Sequence, residues 1–346
     1  MVAGRKLLLT AVAALALAAC SGGGDDALPQ QSGPPDTGAP VGTGTLVESS
    51  SPTTDPATVA PTTVAPPTTS PLTVAAPPTA PPTAPPTAPP TAPPVPPAPP
   101  TTVVPQIEAA AWAVYDMRLG GFLPATSNAD AQLPVGSVIK LLAAQTAYAA
   151  GNPVKVAVAP PGLLIDPDES RIGIFEGQEL SRDLLVRAML IVSANDAARM
   201  LALDIAGGEA QFAELMNQQA ANLGLANTHA VNVTGLDADG QFSSANDMTR
   251  LAAFLFGNQT FQLTVARPSA QLNGQTLPST NDLLGTYPGA DGVKTGHTTN
   301  AGWCIVASAT RDGRRMIATV IGAPTEAARD AGATALLDWA FTQPYP

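Results

Sequence analysis

Lys294-Thr295-Gly296-His297-Thr298-Thr299-Asn300-Ala301-Gly302-Trp303-Cys304-Ile305-Val306-Ala307-Ser308-Ala309-Thr310 runs on through Arg311-Asp312-Gly313-Arg314 into Arg315-Met316-Ile317-Ala318-Thr319-Val320-Ile321-Gly322. The apolar runs Trp303–Thr310 and Arg315–Gly322, joined by an Asp-Gly turn, predict an antiparallel hairpin. Ahead of it Lys294-Thr295-Gly296 opens a strand, and behind it Thr325–Phe341 reads as a closing helix. Far upstream, Ala109–Tyr115 and Phe122-Leu123 flank a Gly120-Gly121 turn, which predicts two more strands. Residues 154–178 are mixed. Helix patterns fill the rest: Val138–Ala150, Ser181–Val192, Asp196–Ile205, Ala210–Leu223 and Asp247–Phe256, several closed by glycine. Strands at both ends with helices between predict an α+β fold. One antiparallel sheet is built from both ends of the domain, with flanking helices and an all-helical insertion.

Composition sets the domain limits. Of 37 prolines in 346 residues, 25 lie between Pro29 and Pro105, and all 15 aromatics fall after residue 105. One folded unit, 106–346, is therefore expected behind a tail that cannot bury a core. The folded unit carries 14 Lys+Arg against 22 Asp+Glu, a net of −8, which disfavours nucleic acid as a partner. With only His229 and His297 in the chain, a His-built zinc site is disfavoured, and no cofactor is expected. No apolar stretch of spanning length follows the first twenty residues.

Those first residues are an address. Arg5-Lys6 and the apolar run Leu7–Ala19 form a secretory signal, 1–19. It ends in Leu17-Ala18-Ala19-Cys20, which resembles a bacterial lipobox, so Cys20 is expected to be acylated and to hold the protein on the outer face of the cell membrane. Residues 20–105 are then a lipidated Cys plus a Pro/Thr/Ala-rich linker, including four tandem Thr-Ala-Pro-Pro units from Thr79 to Pro94. This composition favours extended polyproline II; residues 28–105 would reach roughly 240 Å. Cys304, in an apolar run, is expected to be a buried inert thiol, with pairing between chains as the alternative.

Three short motifs carry chemistry. Ser137 and Lys140, at i and i+3 where a helix begins, share one face, and a neutral lysine there can take a serine proton. Taken alone, the pair also reads as a helix cap followed by a surface lysine. Ser193-Ala194-Asn195 ends an apolar helix, but Ser-Ala-Asn-Asp occurs at 193–196 and again at 244–247, and Ser-x-x-Asp also resembles a capping box. Lys294-Thr295-Gly296 offers a cation and a hydroxyl for a carboxylate, with a glycine that lets a substrate backbone approach. Each is weak alone. Yet only Lys140, Lys155 and Lys294 follow the signal, and two of these three complete a motif in the order found in penicillin-recognising serine enzymes.

Over about residues 107–341 the chain resembles the D-alanyl-D-alanine carboxypeptidases, the low-molecular-mass penicillin-binding proteins of peptidase family S11. The likeness extends to Asp196-Ala197-Ala198, Met216-Asn217, Leu223-Gly224-Leu225, Thr234-Gly235-Leu236, His297-Thr298 and Ala301-Gly302. It implies a β-lactamase/D,D-peptidase-like fold and a set of roles. Ser137 would be the acylated nucleophile, Lys140 its base and Ser193 a proton relay. Asn195 would bind the substrate amide. Lys294, Thr295 and Gly296 would hold the terminal carboxylate with help from Arg329, and the N–H groups of Ser137 and His297 would form the oxyanion hole. Such donors contribute roughly 3–4 kcal/mol each. The implied partners are peptidoglycan stem peptides ending in D-Ala-D-Ala, and β-lactams as covalent inhibitors. Gly136 replaces a usual Ala, and Val138-Ile139 a commoner pair. A lipid at Cys20 is expected to serve where some relatives carry a C-terminal amphipathic anchor.

Two other readings stand beside this one. A β-lactamase of class A type needs Glu-x-x-Leu-Asn between the second and third motifs, and none occurs there. A tethered wall-binding or β-lactam-sensing module without catalysis would not need Ser137 and Lys140.

Overall fold

The computed structural model describes residues 103–163 and 166–344. The signal, Cys20 and nearly all of the Pro-rich linker lie outside the described residues. β1 (Ala111–Asp116) and β2 (Gly121–Phe122) pair across the predicted glycine turn. A 3-10 turn, Gly136–Ile139, runs straight into α1 (Lys140–Ala150). The short pair β3 (Val156–Val158) and β4 (Glu179–Ser181) precedes α2 (Arg182–Ile191), α3 (Asn195–Ala206) and α4 (Glu209–Asn222). Next come α5 (Ala245–Leu255), α6 (Gln259–Val265) and the hairpin of β5 (Ser269–Leu272) with β6 (Gln275–Pro278). β7 (Ala290–Thr298), β8 (Gly302–Arg311), β9 (Arg314–Ala323) and α7 (Glu326–Thr342) complete the described chain.

The main sheet is antiparallel in the order β2-β1-β9-β8-β7, so strands from the two ends of the domain are joined, as the sequence predicts. Both of its faces are covered. Ile305, Ala307 and Val320 pack with Leu336, Leu337 and Ala340 of α7 on one side. On the other, Ala113, Val306 and Ile317 pack with Met248 and Leu251 of α5 within the larger helical core. Strands buried on both faces read as continuous apolar runs rather than as alternation, which is the pattern of Trp303–Thr310.

Side-chain caps set several helix starts. Ser181, Ser244 and Thr325 accept from the N–H three residues on, each contributing about 1 kcal/mol. Several elements differ from the sequence reading, and the pairs β3–β4 and β5–β6 put strands into an insertion expected to be all-helical. Lys294 lies in the middle of β7, which begins at Ala290, because Asp291 anchors that end through Ser308, Thr310 and Arg315. The seven-residue α6 is too short for a periodic signal. The β5–β6 hairpin turns on Asn273-Gly274, both at positive φ, an Asn-Gly signature that reveals it.

Cys304 is fully buried, and burial pushes its thiol up to about 11, so it is the inert thiol expected. A buried ion pair ties β1 to β9: Arg314 donates from Nε and Nη2 to Asp116 Oδ2 at 2.8 and 2.6 Å. Asp116→Ala strands a buried guanidinium and should cost roughly 3–5 kcal/mol, read as a lower denaturation midpoint.

Candidate active site

Ser137 sits in the 3-10 turn and Lys140 at the first residue of α1. In a 3-10 turn side chains at i and i+3 eclipse, so the two stack, with Lys140 Nζ 2.6 Å from Ser137 Oγ. Lys140 also donates to the carbonyl of Thr234, which lies 3.3 Å from the same serine hydroxyl. The lysine is fully buried. Burial, and after it the positive charge of Lys294, hold its pKa well below the ordinary lysine value. A buried amine with a lowered pKa beside a hydroxyl is the arrangement a general base requires.

The second strip follows α2. Ser193 is a buried non-glycine residue at φ +63, and it lines the same cleft as Ser137. The N-terminal cap of α3 is Ala194, with no side-chain cap bond, so the capping alternative for 193–196 is not realised. At 244–247 it is, since Ser244 caps α5. Asp196 instead accepts from the N–H groups of Ile172, Gly173 and Ile174, stitching the preceding loop to α3. Left-handed backbone costs an L-residue about 1–2 kcal/mol. Ser193→Gly should therefore raise stability by roughly 1 kcal/mol while acylation of Ser137 slows, a trade visible as a higher melting temperature in a slower protein.

β7 is the edge strand of the sheet, and its unpaired backbone faces the cleft. Thr295, Gly296 and His297 line the cleft; Lys294, 1% exposed, lies beneath them and donates to Thr295 O at 2.7 Å. Burial, and then the charge of Arg329, lower its pKa to about 7. Gly296 serves the protein's own backbone as well as any ligand. A Cβ there would meet Val135 O at 2.6 Å and Ser137 N at 3.0 Å. The turn bearing Ser137 thus packs directly on β7. The His297 ring lies on Trp303, centroids 4.1 Å apart, which leaves its main chain toward Ser137. Arg329 lines the cleft but is already paired with Glu326 and Asp330. The third lysine, Lys155, is absorbed in an ion pair with Asp204.

All the predicted polar side chains except the buried Lys140 and Lys294 thus line one cleft of about 600 Å³. Several of its members carry no signal in the sequence reading, among them Thr280, Trp303 and Glu169. Thr280 accepts a hydrogen bond from Thr295 at 2.7 Å, and Trp303 forms part of the wall. Glu169 accepts from Asn195 Nδ2 at 2.6 Å. None lies in a short motif, because tertiary packing alone brings them to the cleft.

The chain is 39% identical over 179 residues to the D-alanyl-D-alanine carboxypeptidase DacF of Bacillus subtilis, covering 50% of this chain and 46% of that one. It is 35% identical over 258 residues to DacD of Escherichia coli, covering 68% and 63%. The chain thus spans between about half and two thirds of these relatives' length. Among solved structures, penicillin-binding protein D2 of Listeria monocytogenes in its ampicillin-bound form superposes with a TM-score of 0.61 at 33% identity, covering 68% of this chain and 98% of that one. The profile described as Peptidase S11, D-alanyl-D-alanine carboxypeptidase, matches residues 98–325. A serine–lysine pair under the edge strand of an antiparallel sheet, together with that match, makes this chain a member of the peptidase S11 family.

Proposed function

We propose that the chain is a serine-type D-alanyl-D-alanine carboxypeptidase acting on peptidoglycan stem peptides. The observation that carries this is the buried, pKa-depressed Lys140 amine 2.6 Å from Ser137 Oγ, at the floor of a cleft walled by an edge strand. In the proposed reaction Ser137 Oγ attacks the carbonyl of the penultimate D-Ala and its proton passes to Lys140. Ser193 relays a proton to the leaving amine, D-Ala departs, and water then frees the acyl group from Ser137. Asn195 holds a substrate amide. Thr295 meets the terminal carboxylate directly, and Lys294 and Arg329 support it by charge from below and beside. The N–H groups of Ser137 and His297 receive the oxyanion; the approach of these two segments, with a Gly136 Cβ position only 3.0 Å from His297 N, supports that pairing.

The ampicillin-bound relative supports β-lactams as ligands, and their covalent inhibition through Ser137 is part of the proposal. Export, lipid attachment at Cys20, and a linker over 20–105 that carries the 106–346 domain out into the wall belong to the same proposal. Intact mass after exposure to benzylpenicillin tests it. A lasting adduct of one penicillin, absent in Ser137→Ala, together with D-Ala release from a pentapeptide, is the expected result. Penicillin consumed without an adduct would move the reading to a β-lactamase, and neither adduct nor consumption would leave a binding module.

A further inference from the structure

Glu169 is a carboxylate in the cleft wall that the reaction above does not use. It lies on the loop between β3 and β4 and touches two residues of α3, Asn195 and Arg199, which stand four residues apart and so share a face. Arg199 grips it in a fork, Nη1 to Oε2 at 2.8 Å and Nη2 to Oε1 at 3.2 Å. Oε2 also accepts from Asn195 Nδ2 at 2.6 Å. The next residue adds a second hold, since Ser170 O accepts from the backbone N–H of Asn195 at 2.7 Å.

A carboxylate only accepts, so it fixes which way the Asn195 amide faces. The NH2 must meet Glu169, and Oδ1, buried and with no hydrogen-bond partner among the described residues, is turned the other way. An unpaired buried acceptor costs stability unless something completes it. Glu169 accepts three hydrogen bonds from Arg199 and Asn195, most of what its two oxygens can take. We infer that Glu169, locked by Arg199, is a positioning residue that sets the orientation of Asn195 and through it the preference for ligands bearing an amide. The inference rests on the acylation of Ser137 proposed above.

The test uses the full-length chain and two β-lactams, benzylpenicillin, which carries an acylamino side chain, and penicillanic acid, which lacks it. Glu169→Ala should slow acylation by benzylpenicillin about ten- to a hundred-fold, the range for a lost charge-assisted hydrogen bond. Acylation by penicillanic acid should change by less than about three-fold, a threshold set well below that range. Glu169→Gln, which keeps one oxygen able to accept from both Arg199 and Asn195 but loses the charge and the second acceptor, should fall between. In an Asn195→Ala background Glu169→Ala should add nothing. Asp196→Asn, which loosens the same loop, should lower stability without changing the ratio between the two ligands. Equal losses on both ligands, no loss on either, or a full loss persisting in the Asn195→Ala background would overturn the inference. A wild-type chain acylated by neither β-lactam would overturn the function proposed above, and this inference with it.

Discussion

Lys140→Met should slow acylation of Ser137 by benzylpenicillin about 10²–10⁴-fold, the range for a lost general base, while filling nearly the same buried volume. Time-resolved intact mass reads it. Only the neutral amine takes a proton, so in the parent the rate should fall as pH falls through the depressed pKa of Lys140. Lys294→Gln removes the neighbouring cation that helps depress it, so the acid limb should move to higher pH. That displacement, rather than the height of the profile, is the signature. The same burial affects stability. Lys294 falls from its usual 10.5 to about 7 in the folded protein. Between those values the unfolded chain holds more protons, so Lys294 makes stability rise with pH across that window and contributes no slope below it.

Gly235→Ala is the second large effect. Gly235 stands at φ +85, and a Cβ there would lie 2.3 Å from Gly136 O and 2.9 Å from Ser137 N. Those neighbours are backbone and cannot swing away. The substitution must push the Thr234 carbonyl off Lys140 or the nucleophile turn off β7. Acylation should fall at least about a hundred-fold, with a stability loss of about 2–4 kcal/mol, as for other clashes at a special φ. Gly224→Ala is the matched control. Its φ is +66 with nothing within 4 Å of the Cβ position, so it should lose stability and leave the rate intact. Equal losses of rate in both variants would refute the packing argument.

The Asp312-Gly313 hairpin, the closing helix and the union of both ends in one sheet were legible because local signals mark them: turn residues, apolar runs and caps. Ser137 with Lys140, and Ser193 with Asn195, were legible as neighbours because each pair sits at a short spacing that local geometry preserves. What stayed hidden depends on distance along the chain. Glu169 meets Asn195 across 26 residues, and Thr280 meets Thr295 across 15. No period of 2 or 3.6 encodes such contacts. Gly235 carries no local sequence signal beyond its place in Thr234-Gly235-Leu236. Its physical reason, the backbone of residues 136–137 pressed against it, is a contact nearly a hundred residues away in sequence.

The sheet that joins both ends also dictates when the protein can fold. Ala111 pairs with Ile321, so β1 waits for a partner some two hundred residues later. Closing so long a loop is entropically slow, and topologies dominated by distant pairings fold slowly. A chain emerging N-terminus first would show β1 and its flanking helices long before β9 arrives to cover them. The turn bearing Ser137 likewise has no β7 to pack against until residues 290–298 have emerged. The packing around Ser137 and Lys140 is thus completed late, once most of the domain is available.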